Sequence, residues 1–210
     1  MTVRQPMGTP EFRDIADLHV SAGALVFEHG WQSWSPTGTY PIDHPPARAT
    51  TPARHIMGYR PELPAPDHTF QGEGLLALDS GTGEGVRVWS APDPHREVPS
   101  IRLALQDHRA VVSANGAVRE DVYQGAIEQA LAQWAGELAS RLGVGPVVSL
   151  PPFWCSWYQY FTRVTEADMR ENLEAIDRLG LDVGLVQLDD GYQAGIGDWL
   201  VRSPAFPHPL

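Results

Sequence analysis

Residues 185–193 read LVQLDDGYQ, an apolar run that stops at two adjacent carboxylates, Asp189 and Asp190, followed by a glycine and an aromatic. Side chains alternate along a strand, but the alternation relaxes where the strand runs into its loop. Two ionised carboxylates there offer acceptor oxygens and no donors. The matching ligands are a divalent cation or a molecule rich in hydroxyl donors, such as a sugar. A magnesium or calcium ion demands more oxygen ligands than these, and Asp198 is the only further carboxylate close by in sequence. Aromatics, in contrast, crowd the region: Trp154, Trp157, Tyr158, Tyr160 and Phe161 upstream, Tyr192 and Trp199 downstream. Aromatic faces cover the apolar C–H face of a pyranose while carboxylates take its hydroxyls, so a sugar is the better match. Retaining glycosidases hold their two catalytic carboxyls roughly 5–5.5 Å apart across the scissile bond. Neighbours at one strand end do not straddle a bond in that way, so the pair is read as substrate-binding. Asp and Gly are also ordinary turn residues, but the apolar run before them and the aromatics around them favour a site.

Positioning such a pair requires a strand that ends at a ligand-binding edge, and the flanking sequence supplies one. The stretch 182–188, DVGLVQL, is a continuous apolar run of the type buried on both faces of a parallel sheet. An apolar strand is expected near 153–157. Between them VTEADMRENLEAIDRLG is a helix, with Thr165 as N-cap and Asp168 three residues on, close to a capping box. Met169, Leu173 and Ile176 line its expected core face, and Gly180 ends it. Strand, helix and strand within about 35 residues form a βαβ unit, whose ligands bind at the carboxyl ends of the strands.

Upstream the pattern differs. Residues 74–91 are two apolar runs around a Gly-rich turn, a hairpin signal. Short strands continue through 100–123, with a turn at Asn115–Gly116, and their spacing predicts a sandwich. The proline-rich segment 41–68 is expected to be irregular. Ile127, Leu131, Trp134, Leu138 and Leu142 trace one helical face, with Gly143 as the stop; this helix, about 126–142, reads as a connector between two domains.

The 210 residues suffice for one large domain or two smaller ones. No apolar stretch is long enough for a transmembrane helix, and the N-terminus lacks a basic start followed by an apolar run. A net charge of −11 argues against nucleic acid and anionic membrane as partners. The single cysteine, Cys155, excludes an intrachain disulfide and is expected to pack inside the first strand of the βαβ unit. Together these point to a cytoplasmic protein. The eight histidines show no metal-ligand spacing. All 15 basic residues are arginine, so lysine chemistry is absent.

Three motifs resemble glycoside hydrolase family 36, the α-galactosidases: HGWQSWSPTG at 29–38, FWCSWYQYF at 153–161 and QLDDGYQAGIGDWL at 187–200. The resemblance implies a multidomain β plus α/β chain. Residues 1–147 would be an N-terminal β-supersandwich with its connector helix. Residues 148–210 would be the start of a (β/α)8 TIM barrel, truncated after strand 2. It implies that Asp189 and Asp190 bind galactose hydroxyls at the 4 and 6 positions, and that the tryptophan beside the sugar corresponds most naturally to Trp154, with Trp157 the competing choice. Asp198 and Trp199 contact the sugar or fix the loop. Trp31 and Trp34 form a pocket wall, an oligomer contact, or a core or domain-interface packing.

The family nucleophile lies in a Lys-x-Asp motif. With no lysine in the chain, no catalytic residue is assigned here, and both catalytic aspartates are expected beyond residue 210. The expected activity of the full enzyme is retaining hydrolysis of α-galactoside oligosaccharides, with no metal or organic cofactor and a homo-oligomeric full-length form. The rival expectations are a raffinose-synthase-like galactosyl transferase and an inactive galactose-binding or structural fragment.

Overall fold

The computed structural model of the chain describes residues 11–49, 51, 58–146 and 148–208. It divides into two compact units, one ending at Val144 and the other beginning at Gly145. Val147, the expected boundary residue, lies outside the described residues, as do residues 1–10 of the N-terminus.

The first unit is a sandwich of two antiparallel sheets. One has four strands in the order β1 (Arg13–His19), β8 (Arg109–Ala114), β7 (Ser100–Gln106) and β4 (Thr69–Glu73). The other has five, in the order β3 (Gly38–Pro41), β2 (Leu25–Glu28), β5 (Leu75–Asp79), β6 (Val86–Ser90) and β9 (Arg119–Tyr123). Period-two alternation assigns each strand's faces. Leu76, Leu78 and Trp89 of the five-stranded sheet meet Phe70, Ile101, Leu103 and Val112 of the other in the core between the layers. Burying Trp89 or Phe70 completely contributes on the order of 2–3 kcal/mol each. The indole N–H of Trp89 is satisfied by Glu120 Oε2 at 3.1 Å on the neighbouring strand.

The residues between these, Leu75, Ala77, Val86 and Val88, point to the other side of the same sheet. They are covered by the helix α1 (Ile127–Arg141), which buries Ile127 and Ala130 there and packs Leu131 and Trp134 against the same cluster. The expected connector helix is therefore a structural layer of the first unit. Because the sheet is apolar on both faces, β5 reads as a continuous run, LLALD, rather than an alternating one.

The expected hairpin is β5 paired antiparallel with β6. The chain changes sheets between β4 and β5 at a single residue, Gly74, whose φ of +74° is the left-handed conformation that glycine tolerates. The Asn115–Gly116 turn also joins strands of different sheets, and Asn115 Oδ1 accepts the N–H of Ser100 at 2.8 Å. The β7–β8 hairpin turns at Asp107 and His108, both at positive φ, without the Asn-Gly signal that such turns favour. Where it is described, the proline-rich segment after Pro41 forms turns and irregular backbone up to β4; residues 50 and 52–57 lie outside the described residues.

The second unit contains β10 (Phe153–Cys155), a short helix α2 (Trp157–Tyr160), a 3-10 turn (Phe161–Arg163), α3 (Glu166–Arg178) and β11 (Leu185–Gln187). The two strands pair in parallel, with Phe153 opposite Leu185 and Cys155 opposite Gln187. The cap of α3 is a full box: Thr165 Oγ1 accepts the N–H of Asp168 at 3.2 Å, and Asp168 Oδ2 accepts the N–H of Thr165 at 2.9 Å.

Three expectations are corrected here. The strand expected over 182–188 spans only Leu185–Gln187, and it is not buried on both faces, since Leu185 is 44% exposed. The stripe Met169, Leu173 and Ile176 is not core: α3 has no buried residue. Two strands of three residues each cannot cover a 13-residue helix and both of their own faces. Cys155 is half-buried rather than enclosed. Among the described residues the unit holds one parallel pair, and no helix is long and apolar enough to cross a membrane.

Candidate functional site

Parallel register sets the carboxyl ends of β10 and β11 side by side, so the residues that follow each strand share one edge. Ser156, the first residue after β10, is completely buried. Its N–H donates to the Gln187 carbonyl at 3.1 Å, and its Oγ accepts the N–H of Asp189 at 3.0 Å. One serine thus sets the path of the chain into the carboxylate pair.

Both aspartates are half-buried and held by neutral donors; among the described residues neither forms an ion pair. Asp189 Oδ1 accepts the N–H of Asp190 at 2.8 Å, and Asp189 Oδ2 accepts from Gln187 Nε2 at 3.0 Å and from the Cys155 thiol at 3.5 Å. Asp190 Oδ1 accepts from Gln193 Nε2 at 2.7 Å. Gln193, itself buried, returns its own Oε1 to the N–H of Gly191 at 2.9 Å. Asp190 Oδ2 takes part in none of these bonds. The carboxylate pair therefore divides into an oriented member, Asp189, committed through both oxygens, and a presenting member, Asp190, held by one oxygen with the other available as an acceptor.

Glycine at 191 is required by the fold as well as by the turn. Its φ is +118°, and a Cβ there would lie 2.8 Å from both the carbonyl carbon and the oxygen of Thr162. The segment pressed against it begins at Phe161, a non-glycine residue at φ +51°, ψ −138°. Such backbone costs on the order of 1–3 kcal/mol and persists only where the surroundings enforce it.

The aromatics separate into four groups. Trp154 packs edge-on against Tyr160 with centroids 6.5 Å apart, and the Tyr160 hydroxyl accepts from Asn172 of α3 at 2.7 Å. Successive strand residues point to opposite faces, and it is Cys155, the neighbour of Trp154, that touches Asp189. Trp157 packs edge-on against Phe161 at 5.2 Å, immediately after the strand end. Trp199 is 64% exposed in the loop after Asp190, where its carbonyl accepts from the Tyr192 hydroxyl at 3.4 Å. A bridge between Gln193 and Arg202 closes that loop, and Asp198 caps its turn by donating its N–H to the Gly195 carbonyl at 2.9 Å. Trp31 and Trp34 belong to the first unit and are 46% and 69% exposed, which excludes the core packing considered for them.

Ser156 and Gln193 were not singled out by sequence. Gln193 carries a local signal, its position three residues after Asp190. Ser156 carries none, because its partner lies 33 residues away.

Fold and site together define a β-sandwich unit followed by an α/β unit that presents paired carboxylates at the carboxyl ends of parallel strands. In structure the chain is similar to TtGalA, an α-galactosidase from Thermus thermophilus in complex with p-nitrophenyl α-D-galactopyranoside, with a TM-score of 0.60 and 24% sequence identity. The match covers 93% of this chain and 42% of that one, so the chain spans less than half the length of its structural neighbour. No family model matches the chain.

Proposed function

We propose that the chain is the sugar-binding portion of a glycoside hydrolase of the α-galactosidase type, with the second unit as the opening βαβ of a (β/α)8 barrel. The observation that carries the reading is the carboxylate pair: Asp190 holds one oxygen ready at the strand ends while Asp189 is fixed behind it by Ser156, Gln187 and Cys155. Similarity of fold to an enzyme solved with an α-galactoside supports the ligand class. Asp190 accepts a ring hydroxyl directly; Asp189 orients the loop and takes a second hydroxyl through its remaining lone pairs. Of the two candidate tryptophans, Trp157 fits the stacking role better, because it directly follows the strand end, whereas Trp154 lies on the strand face opposite Cys155, the residue that touches Asp189. Binding energy gathered here would align the anomeric carbon for attack, and the attacking and protonating carboxylates are assigned to none of these residues.

The test is a calorimetric titration of the chain with methyl α-D-galactopyranoside and with its 4-epimer, the glucoside. The galactoside should bind more tightly, and Asp190→Asn should weaken it by about tenfold, the scale of one charged hydrogen bond, with an unchanged unfolding midpoint. Equal binding of the epimers, or indifference to Asp190→Asn, would refute the reading. Hydrolysis of p-nitrophenyl α-D-galactopyranoside by the purified 210-residue chain is not expected.

A further inference from the structure

Gln193 follows Asp190 by three residues and is only 5% exposed, although its side-chain amide carries both donors and an acceptor. Both ends are engaged on its own loop. Oε1 accepts the N–H of Gly191 at 2.9 Å, and Nε2 donates to Asp190 Oδ1 at 2.7 Å. A backbone N–H can only donate, and an ionised carboxylate can only accept. The amide therefore has one orientation: turned over, it would set N–H against N–H and carbonyl against carboxylate.

The backbone of Gln193 is fixed as well. It bridges Arg202, the N–H of Ala194 donates to the Val201 carbonyl at 2.8 Å, and the N–H of Ser203 donates to the Tyr192 carbonyl at 2.7 Å. The Arg202 guanidinium donates to the Phe206 carbonyl at 3.1 Å, and among the described residues no ion pair holds Asp190. The neutral amide of Gln193 is thus the side-chain group that grips the presenting carboxylate.

Asp190 is held at two points. Its N–H donates to Asp189 Oδ1 at 2.8 Å, and its Oδ1 is bound by Gln193. With the backbone and one oxygen fixed, the second oxygen has one direction. A preset acceptor discriminates between hydroxyls of different direction, whereas a free carboxylate would turn to follow either. Resting on the galactoside reading of the carboxylate pair, we propose that Gln193 is the positioning residue of this site: it sets the direction of Asp190 Oδ2, and through it the preference for one hydroxyl epimer over the other. A purely structural role, tying down the Gly191 N–H, would need only Oε1.

Two variants separate these roles. Gln193→Met removes both bonds without adding charge. Gln193→Glu combined with Asp190→Asn keeps the acceptor for Gly191 and reverses the other bond, the introduced amide donating to the introduced carboxylate. The Hα–Hβ couplings at position 190 report the side-chain rotamer with no sugar present, and calorimetry gives the affinity ratio of methyl α-D-galactopyranoside to its glucoside epimer. Wild type should show single-rotamer couplings. Gln193→Met should show averaged couplings and an affinity ratio about tenfold lower, the scale of one charged hydrogen bond. The double variant should recover single-rotamer couplings and a ratio above that of Gln193→Met. Wild-type couplings in Gln193→Met would overturn the proposal, as would averaged couplings with an unchanged ratio. If Gln193→Met does not fold, the double variant decides: averaged couplings or equal binding of the epimers there would overturn it. Equal binding of the epimers by wild type refutes the galactoside reading itself, while the couplings without sugar still show whether Gln193 holds Asp190, so the two failures are distinguishable.

Discussion

The backbone N–H of Asp189 donates to Ser156 Oγ at 3.0 Å, so a buried serine after one strand sets the first carboxylate after the other. Ser156→Ala should cost the second unit about 1–2 kcal/mol, the penalty for leaving a buried N–H unpaired. Urea denaturation followed by tryptophan fluorescence checks the stability, and galactoside affinity should fall with it. An unchanged midpoint would mean that Asp189 finds another anchor.

Gly191→Ala should be worse than a surface substitution of the same size. The φ of +118° and the 2.8 Å approach of the Thr162 carbonyl strain any Cβ there, and a loss of about 2–3 kcal/mol is expected. If the variant melts like wild type, the packing of the 161–164 segment against Gly191 is not as described.

Glu28 is completely buried in the first unit, and Arg48 grips its two oxygens at 2.8 and 2.6 Å while the N–H of Gln71 adds a third bond at 3.0 Å. Burial pushes the Glu28 carboxyl above its ordinary range, against the opposing pull of Arg48. The folded state therefore holds this proton more tightly than the unfolded state, and the contribution of Glu28 to stability falls as pH rises from its ordinary value through the raised one. Arg48→Met should cost about 3 kcal/mol near pH 7, because it strands a buried charge. The loss should shrink at lower pH, as Glu28 takes a proton. Denaturation midpoints over this pH range decide, and a loss independent of pH would rule out an uncompensated carboxylate.

Glu166, in the first turn of α3, behaves oppositely. The Arg170 guanidinium, followed by the backbone N–H and ring of His208, lowers its carboxyl from 4.5 to about 2. With a depressed folded value, its contribution is present above 4.5 and is lost as pH falls through about 2. A carbon-13 NMR titration of the Glu166 carboxyl should show the low midpoint, and Arg170→Ala should raise it. A wild-type midpoint at the ordinary value would dissolve the cluster.

The sequence by itself determined what local spacing encodes. The β5–β6 hairpin, the stripe of α1, the Thr165–Asp168 box and the parallel order of β10 and β11 all follow from residues within one or two elements of each other. So does the position of the carboxylates, because an apolar run ending in Asp-Asp-Gly marks a strand end. Tertiary structure alone decided the rest. Leu75 and Leu76 look alike in sequence, yet one meets α1 and the other the second sheet, because the faces differ only in what lies across from them. Met169, Leu173 and Ile176 have a core-like spacing but lack a sheet broad enough to cover them. The division between Asp189 and Asp190 depends on Ser156, Cys155 and Gln193, and two of those contacts join residues more than 30 positions apart. Periodicity fixes which way a side chain points along its own element; which partner it meets is set by long-range packing, and hydrogen bonds across that distance leave no pattern in a single chain.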